Sequence, residues 1–158
     1  MVIRFAQPQD VPGILALLRQ VGNLHHESRP DIFRANAQKY SASQVLSMLN
    51  SSTSPIFVAV EEDQVLGYSF CAMQVYSRDP VFTDHFSLYI DDLCVDRAHR
   101  RKHIGTALYQ EILRYAKSRG CHNVTLRVWS CNPDAAAFYQ SLGMQPQTLG
   151  MEALLEES

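Results

Sequence analysis

A chain of 158 residues, 46% of them apolar and 19% charged, with a formal charge of −2, fits one domain that buries its core without disulfides or a structural metal. That balance excludes a disordered chain and a globally basic nucleic-acid binder, and no apolar run approaches the ~20 residues a membrane span needs. Cys71, Cys94, Cys121 and Cys131 form no CxxC pair; they read as packed thiols in a reducing, cytoplasmic setting.

In chain order, residues 2–6 alternate as a strand. Asp10 then stands at a helix N-cap, with Pro12 in the first turn and Ile14, Leu15, Leu17, Leu18 and Val21 as an apolar stripe. Gly22 and Asn23 are the expected stop. His25, His26 and Glu27 fall in the following loop and lack the i, i+4 spacing of a zinc helix, so no metal is expected. A short helix over 43–49 ends in NSSTSP. PIFVAVEEDQVLGYSFCAMQVY reads as an antiparallel hairpin, 56–61 and 65–76, turning at EEDQ. After the loop SRDPVFTDHF comes the strand SLYIDDLCVD, a basic stretch, and a helix from about Gly105 to Arg119 that Gly120 terminates. NVTLRVW alternates as a strand, and a short helix follows with Asn132 at its N-cap, Pro133 at N1 and Gly143 beyond its end. PQTLGMEALLE is one more strand or a frayed helix. The order implies a mixed sheet covered by helices, an α/β layer structure.

Chemistry concentrates in HRRKHIGTAL, residues 99–108. Seven of the fourteen Lys and Arg residues lie between 97 and 119, where Glu111 is the only acid. Such a run is either a solvated face or a site for an anion. The strand before it and the helix after it favour the anion, because a helix start offers free N–H groups and a positive dipole end to phosphate oxygens. Gly105, followed by the small Thr106 and Ala107, permits close approach of the main chain.

CVDRAHRRKHIGTALYQEIL resembles the coenzyme A signature (R/Q)xxGxG/A of the GNAT family of N-acetyltransferases, with Arg100 in the leading position, Gly105 as the second glycine and His103 where the first glycine stands. IRFAQPQD, IDDLCVD and NPDAAAFYQSLGM resemble the family's first strand, fourth strand and AxxFYxxxGF element in the same order. The resemblance implies a single GNAT domain over 1–158. Its fold would be a mixed, mostly antiparallel sheet of six to seven strands, splayed between the fourth and fifth and flanked by about four helices. It implies acetyl-CoA as cosubstrate, with the pyrophosphate on the amides of Arg101, Lys102, His103, Ile104 and Gly105 and on Thr106, basic side chains including Arg100 adding field, and the pantetheine arm along Leu93, Cys94 and Val95. It also implies Asn132 as a contact of that arm and Tyr139 as the acid that protonates the departing thiolate. Capping alone also explains Asn132, and core packing alone also explains Phe138 or Tyr139.

An amine with pKa ~10.4 must lose a proton before attack, which costs about 4–5 kcal/mol at pH 7. Asp91 falls where polyamine-acetylating relatives carry an acid, and it reads as base, amine anchor or ordinary polar strand end; strand alternation sends Asp92 to the opposite face. The resulting expectation is acetyl transfer by direct attack of a small cationic amine or amino compound. A protein N-terminus or lysine is the alternative acceptor, and a non-catalytic acyl-CoA sensor is the alternative from another class. No nucleic acid or membrane is expected as partner, and the resemblance allows a homodimer.

Overall fold

The computed structural model describes residues 1–100 and 102–155. β1 (Val2–Phe5) leads through a 3-10 turn, Pro8–Asp10, into α1 (Val11–Ser28), and α2 (Ala42–Leu49) follows. Asp10 precedes α1 but does not cap it with its side chain. Instead the carboxylate, 3% exposed, takes two hydrogen bonds from Arg4 at 2.6 and 3.1 Å and one from the Gln7 N–H at 2.8 Å. A buried acid needs such partners, and these tie β1 to the helix start. Ser41 caps α2, and its partner Gln44 completes a capping box.

α1 does not stop at Gly22 but continues to Ser28, which puts His25, His26 and Glu27 on its last turns rather than in a loop. A Cβ at Gly22 would lie 2.4 Å from the main-chain oxygen of Ala37. The glycine is there for close approach of the segment joining α1 to α2, a role that composition alone does not separate from a helix stop.

β2 (Ile56–Glu61) and β3 (Gln64–Tyr76) form the expected hairpin, with Glu62 and Asp63 both at positive φ. β4 (His85–Val95) pairs antiparallel with β3, α3 (Ile104–Ser118) crosses back, and β5 (Asn123–Leu126) pairs parallel with β4. The sheet order is β1-β2-β3-β4-β5. Ile14, Leu17 and Leu18 of α1 and Val45 of α2 join Val58, Tyr68, Phe70 and Cys94 in a core on one sheet face. On the other face a Cβ at Gly67 would meet Leu108 and Ile104 at 3.2 and 3.3 Å, and the Phe57 ring meets Tyr115 edge-on at 5.6 Å. Gly67 thus lets the first turn of α3 press onto β3, next to the end of β4.

The chain forms two compact units, Met1–Arg127 and Val128–Ser158. The first holds the sheet and α1 to α3. The second holds α4 (Pro133–Ser141), whose N-cap Asn132 accepts from the Ala135 N–H at 3.2 Å, and Gly143 follows its end at φ 98°. The described residues form five strands rather than six or seven. Residues 145–155 take up no regular structure; Pro146 lacks an N–H for a ladder, and the apolar Leu149, Met151, Leu154 and Leu155 show no period-two burial, all being exposed. β5 ends at Leu126, short of the expected Trp129, whose carbonyl accepts the Asn132 N–H in a turn. Among the described residues no helix is long and apolar enough to cross a membrane.

Candidate active site

The turn between β4 and α3 is built from side chains that hold one another. Asp96 accepts from the Ala98 N–H at 3.3 Å and from Gln20 at 3.3 Å, and lies 3.0 Å from His99 Nδ1; Gln20 in turn accepts the Arg97 N–H at 2.8 Å. Although burial raises it, Asp96 has a pKa held below the usual carboxylate range by Gln20 and His99. The chain then extends through Arg100 (φ −63°, ψ 156°) and turns at His103, the N-cap of α3, which is left-handed at φ 59°, ψ 24°. The dihedral region that favours glycine therefore falls where the motif has its first glycine. His is among the residues that enter this region most readily, at a cost of about 1–2 kcal/mol. The His103 side chain makes no capping hydrogen bond to α3, and the first-turn N–H groups of a helix have no intrahelical acceptors. Lys102 and His103 are exposed, Gly105 and Thr106 half-buried, and the Ile104 side chain is buried, leaving only its main chain for a ligand. Arg101 lies outside the described residues. We expect His103→Gly to keep the wild-type melting temperature within a small margin, relief of strain offsetting lost chain restriction. His103→Val should lose about 1–3 kcal/mol, because a β-branched residue resists positive φ. Thermal unfolding of both variants checks this, and equal stability of the two would contradict it.

Beside this turn, β4 presents bare main chain. Pairing with β5 ends at Ile90 opposite Leu126, so residues 91–95 have no strand partner on that side among the described residues. The Asp96 N–H donates to Leu66 O on β3 at 2.8 Å, and the Asp92 carbonyl accepts from Ser69 Oγ at 3.0 Å. Alternation then directs the main-chain groups of Cys94 to β3 and those of Leu93 and Val95 to the open edge. The Cys94 side chain is buried against α1, and burial pushes its thiol up to about 12. It is no nucleophile at neutral pH.

Asp91 and Asp92 do not sit on opposite faces. Phe70 pairs with Asp92 and Cys71 with Ile90, so Asp91 is the extra residue of a β-bulge. The bulge re-aims it. Asp91 accepts from Tyr40 Oη at 2.5 Å and pairs with Lys39 Nζ at 3.1 Å. Asp92 accepts from Tyr68 Oη at 2.7 Å. Tyr40 packs on Phe70 at 5.0 Å, and Phe70 meets Tyr68 edge-on at 5.1 Å, so both carboxylates reach the face covered by α1. The segment that carries Lys39 and Tyr40 is tied down by His26 Nδ1 against Phe33 O at 2.8 Å and by His25 on the Phe33 ring at 4.9 Å. Burial raises the Asp92 pKa above the carboxylate range, against the Tyr68 hydrogen bond and the Lys39 and His25 charges that lower it. Burial, then Asp91, also holds Tyr40 well above an ordinary phenol. Both acids are half-buried, and one whose pKa desolvation raises, beside one paired with a cation, has the makings of a base next to an amine anchor. Nothing in the sequence around Lys39, Tyr40 or Tyr68 marks them for this place. Only the DD pair did, and its two members were assigned to different faces.

In the second unit Asn132 caps α4, and the Phe138 and Tyr139 rings meet at 5.1 Å. Cys121 and Cys131, expected to be buried thiols, are half-buried, and all four cysteines are free.

A mixed sheet whose fifth strand pairs with only part of the fourth, with a helix start following the fourth strand, is compatible with an acyl-carrying enzyme family, and comparison with known proteins says which. The profile of the acetyltransferase (GNAT) family matches residues 19–144, and the chain belongs to that family. It is 33% identical over 99 residues to human N-acetyltransferase 8; the match covers 63% of this chain and only 42% of that protein's length. A mutant of the BH1408 protein from Bacillus halodurans superposes with a TM-score of 0.94 at 33% identity, covering 99% of this chain and 100% of that one. An aminoglycoside acetyltransferase from an uncultured soil metagenomic sample, crystallised with sisomicin, shares the fold at 19% identity and a TM-score of 0.73, over 98% of this chain and 96% of that one.

Proposed function

We propose that the chain transfers the acetyl group of acetyl-CoA to a small cationic amine by direct attack, working as one catalytic domain in a reducing, cytoplasmic compartment. The observation that carries this reading is the gathering of Asp91 and Asp92 on one face of β4, where β5 leaves it and the main chain of Leu93 and Val95 lies bare. The residues present fit the cosubstrate: an uncapped helix start with a left-handed turn before it suits a pyrophosphate, and an unpaired strand edge suits an amide-bearing arm. Lys102, His103, Ile104, Gly105 and Thr106 would hold the pyrophosphate, Arg100 would add positive field, and Leu93 and Val95 would hold the arm. Acetyl-CoA supplies a thioester, an acetyl group already activated for attack.

In this reading Asp91 anchors the incoming ammonium, and Asp92 takes its proton. Tyr68 fixes the Asp92 carboxyl through Oδ2. The Leu93 or Val95 N–H polarises the thioester carbonyl. Tyr139 returns a proton to the departing sulfur: a phenol of pKa near 10 remains protonated at rest and can donate to a thiolate of pKa ~8.5. Asn132 holds the start of the helix that carries Tyr139. The high pKa of the Cys94 thiol disfavours an acyl-enzyme on that residue.

The test is a melting-temperature series with acetyl-CoA, coenzyme A and no ligand, followed by coenzyme A release with a panel of amines. Both ligands should raise the melting temperature, since a ligand at 100 times its Kd adds about 2.7 kcal/mol. Tyr139→Phe should keep that shift and lose turnover. Absence of any shift at saturation would sink the cofactor reading. Turnover with peptide amines alone would move the acceptor to protein, and binding without turnover on any amine would leave a sensor.

A further inference from the structure

The acceptor side of this site already contains an amine. Lys39 Nζ lies 3.1 Å from Asp91 Oδ1 and 3.4 Å from the Asp91 carbonyl oxygen, at the first residue of β4 beyond its pairing with β5. It sits 5.8 Å from the Tyr40 ring centroid, and its charge acts on the half-buried Asp92 carboxyl. The ammonium of Lys39 therefore occupies the surroundings that the proposed mechanism assigns to the incoming substrate. Those surroundings comprise a carboxylate to pair with, an aromatic face, the half-buried Asp92 carboxyl and the bare edge of β4. Lys39 is also half-exposed, with 45% of its side chain accessible, and it ends a flexible four-carbon stem, so it can advance toward the strand edge without unfolding anything.

We propose that Lys39 is a substrate of its own active site and is acetylated in cis by acetyl-CoA. This rests on the acetyl-CoA reading above. The Lys39 ammonium gives one proton to the carboxylate pair, and its nitrogen forms a bond to the thioester carbonyl carbon as the carbon–sulfur bond breaks. The sulfur leaves with the bonding electron pair and takes up a proton; the second nitrogen proton leaves through the carboxylates to solvent. One acetyl-lysine, one coenzyme A thiol and one free proton result. The modified side chain is neutral, so the pairing with Asp91 is lost and that carboxylate is released for an external amine.

The chain carries three lysines, and the exposed Lys117, outside the residues assigned to the pyrophosphate, serves as internal control. The purified protein is incubated with acetyl-CoA and no acceptor, in parallel with acetic anhydride, and acetyl occupancy at each lysine is read by peptide mass spectrometry. Anhydride reports plain chemical accessibility. The expected result is an occupancy ratio of Lys39 to Lys117 that is ~10-fold or more higher with acetyl-CoA than with anhydride, the mark of positioning. Its rate should be independent of protein concentration, and the enrichment should vanish in Asp92→Asn while the acetyl-CoA melting shift persists. Equal ratios with the two reagents, a rate that scales with protein concentration, or enrichment surviving in Asp92→Asn would each overturn the proposal. A melting shift and amine turnover with Lys39 unmodified defeat this proposal alone, whereas absence of the shift defeats the cofactor reading beneath it.

Discussion

Asp92→Asn should lower kcat by about 10²–10⁴-fold, the range for loss of a positioned general base, while its melting temperature near neutral pH stays level or rises. The two effects have one cause. Burial raises the Asp92 pKa in the folded chain above the unfolded value, so the folded state holds more protons between those two pKa values. Stability from this group is full below the unfolded pKa and is lost as pH rises through the folded one. Asparagine keeps an oxygen for the Tyr68 hydroxyl and never ionises, so it escapes that loss. The variant should gain on wild type across the same pH interval in a melting series. Rate and pH are linked in the opposite sense. The base acts only when ionised, so wild-type kcat/KM falls as pH drops through the folded pKa of Asp92, and this acid limb should be absent from the residual activity of the variant. Asp91→Asn, which removes the anchor but not the base, should act mainly on KM for the amine. Wild-type kcat in Asp92→Asn, or an unchanged acid limb, would remove Asp92 from the mechanism.

Local signals located most of the elements because each was decided within a few residues. The alternation of 56–61 and 65–76, Pro133 after Asn132 and the glycines at 120 and 143 act at short range, and the structure has a strand, cap or helix end at each. His103 was legible as an anomaly for the same reason: one residue's φ is a local property, and it is positive here. What the sequence did not disclose depends on a partner distant in the chain. The side of the sheet that Asp91 faces is set by a bulge against β3, and a shift of one residue reverses a strand's faces. Lys39 and Tyr40 enter the site across a separation of about fifty residues, through bonds to Asp91 that no periodicity encodes. β5 likewise ends at Leu126, where its pairing with β4 stops, although the alternation of NVTLRVW runs on to Trp129. Gly22 misled because glycine at a helix end and glycine under a crossing backbone look alike until the crossing chain is placed.

That last ambiguity gives Gly22→Ala an expected sign opposite to the general rule. Alanine for glycine inside a helix ordinarily stabilises by about 0.5–1 kcal/mol. Here the added Cβ would stand 2.4 Å from Ala37 O and 3.3 Å from Ala37 C, both main-chain atoms that no rotamer change can withdraw. Relief requires the segment joining α1 to α2 to move off the helix, and overpacking of this kind costs about 1–3 kcal/mol. At about 2–4 °C per kcal/mol for a chain of this size, the melting temperature should fall by several degrees. The same segment carries Lys39 and Tyr40 to Asp91, so KM for the amine should rise with the stability loss. The coenzyme side is built from β4 and α3, and the melting shift with coenzyme A should therefore survive in the variant. Gly150→Ala is the matched control, because a Cβ there meets no atom within 4 Å, and its melting temperature should match wild type. If Gly22→Ala proves as stable as wild type with an unchanged KM, the close crossing at Ala37 does not hold the acceptor side in place, and the link from this one hydrogen atom to the placement of Lys39 is broken.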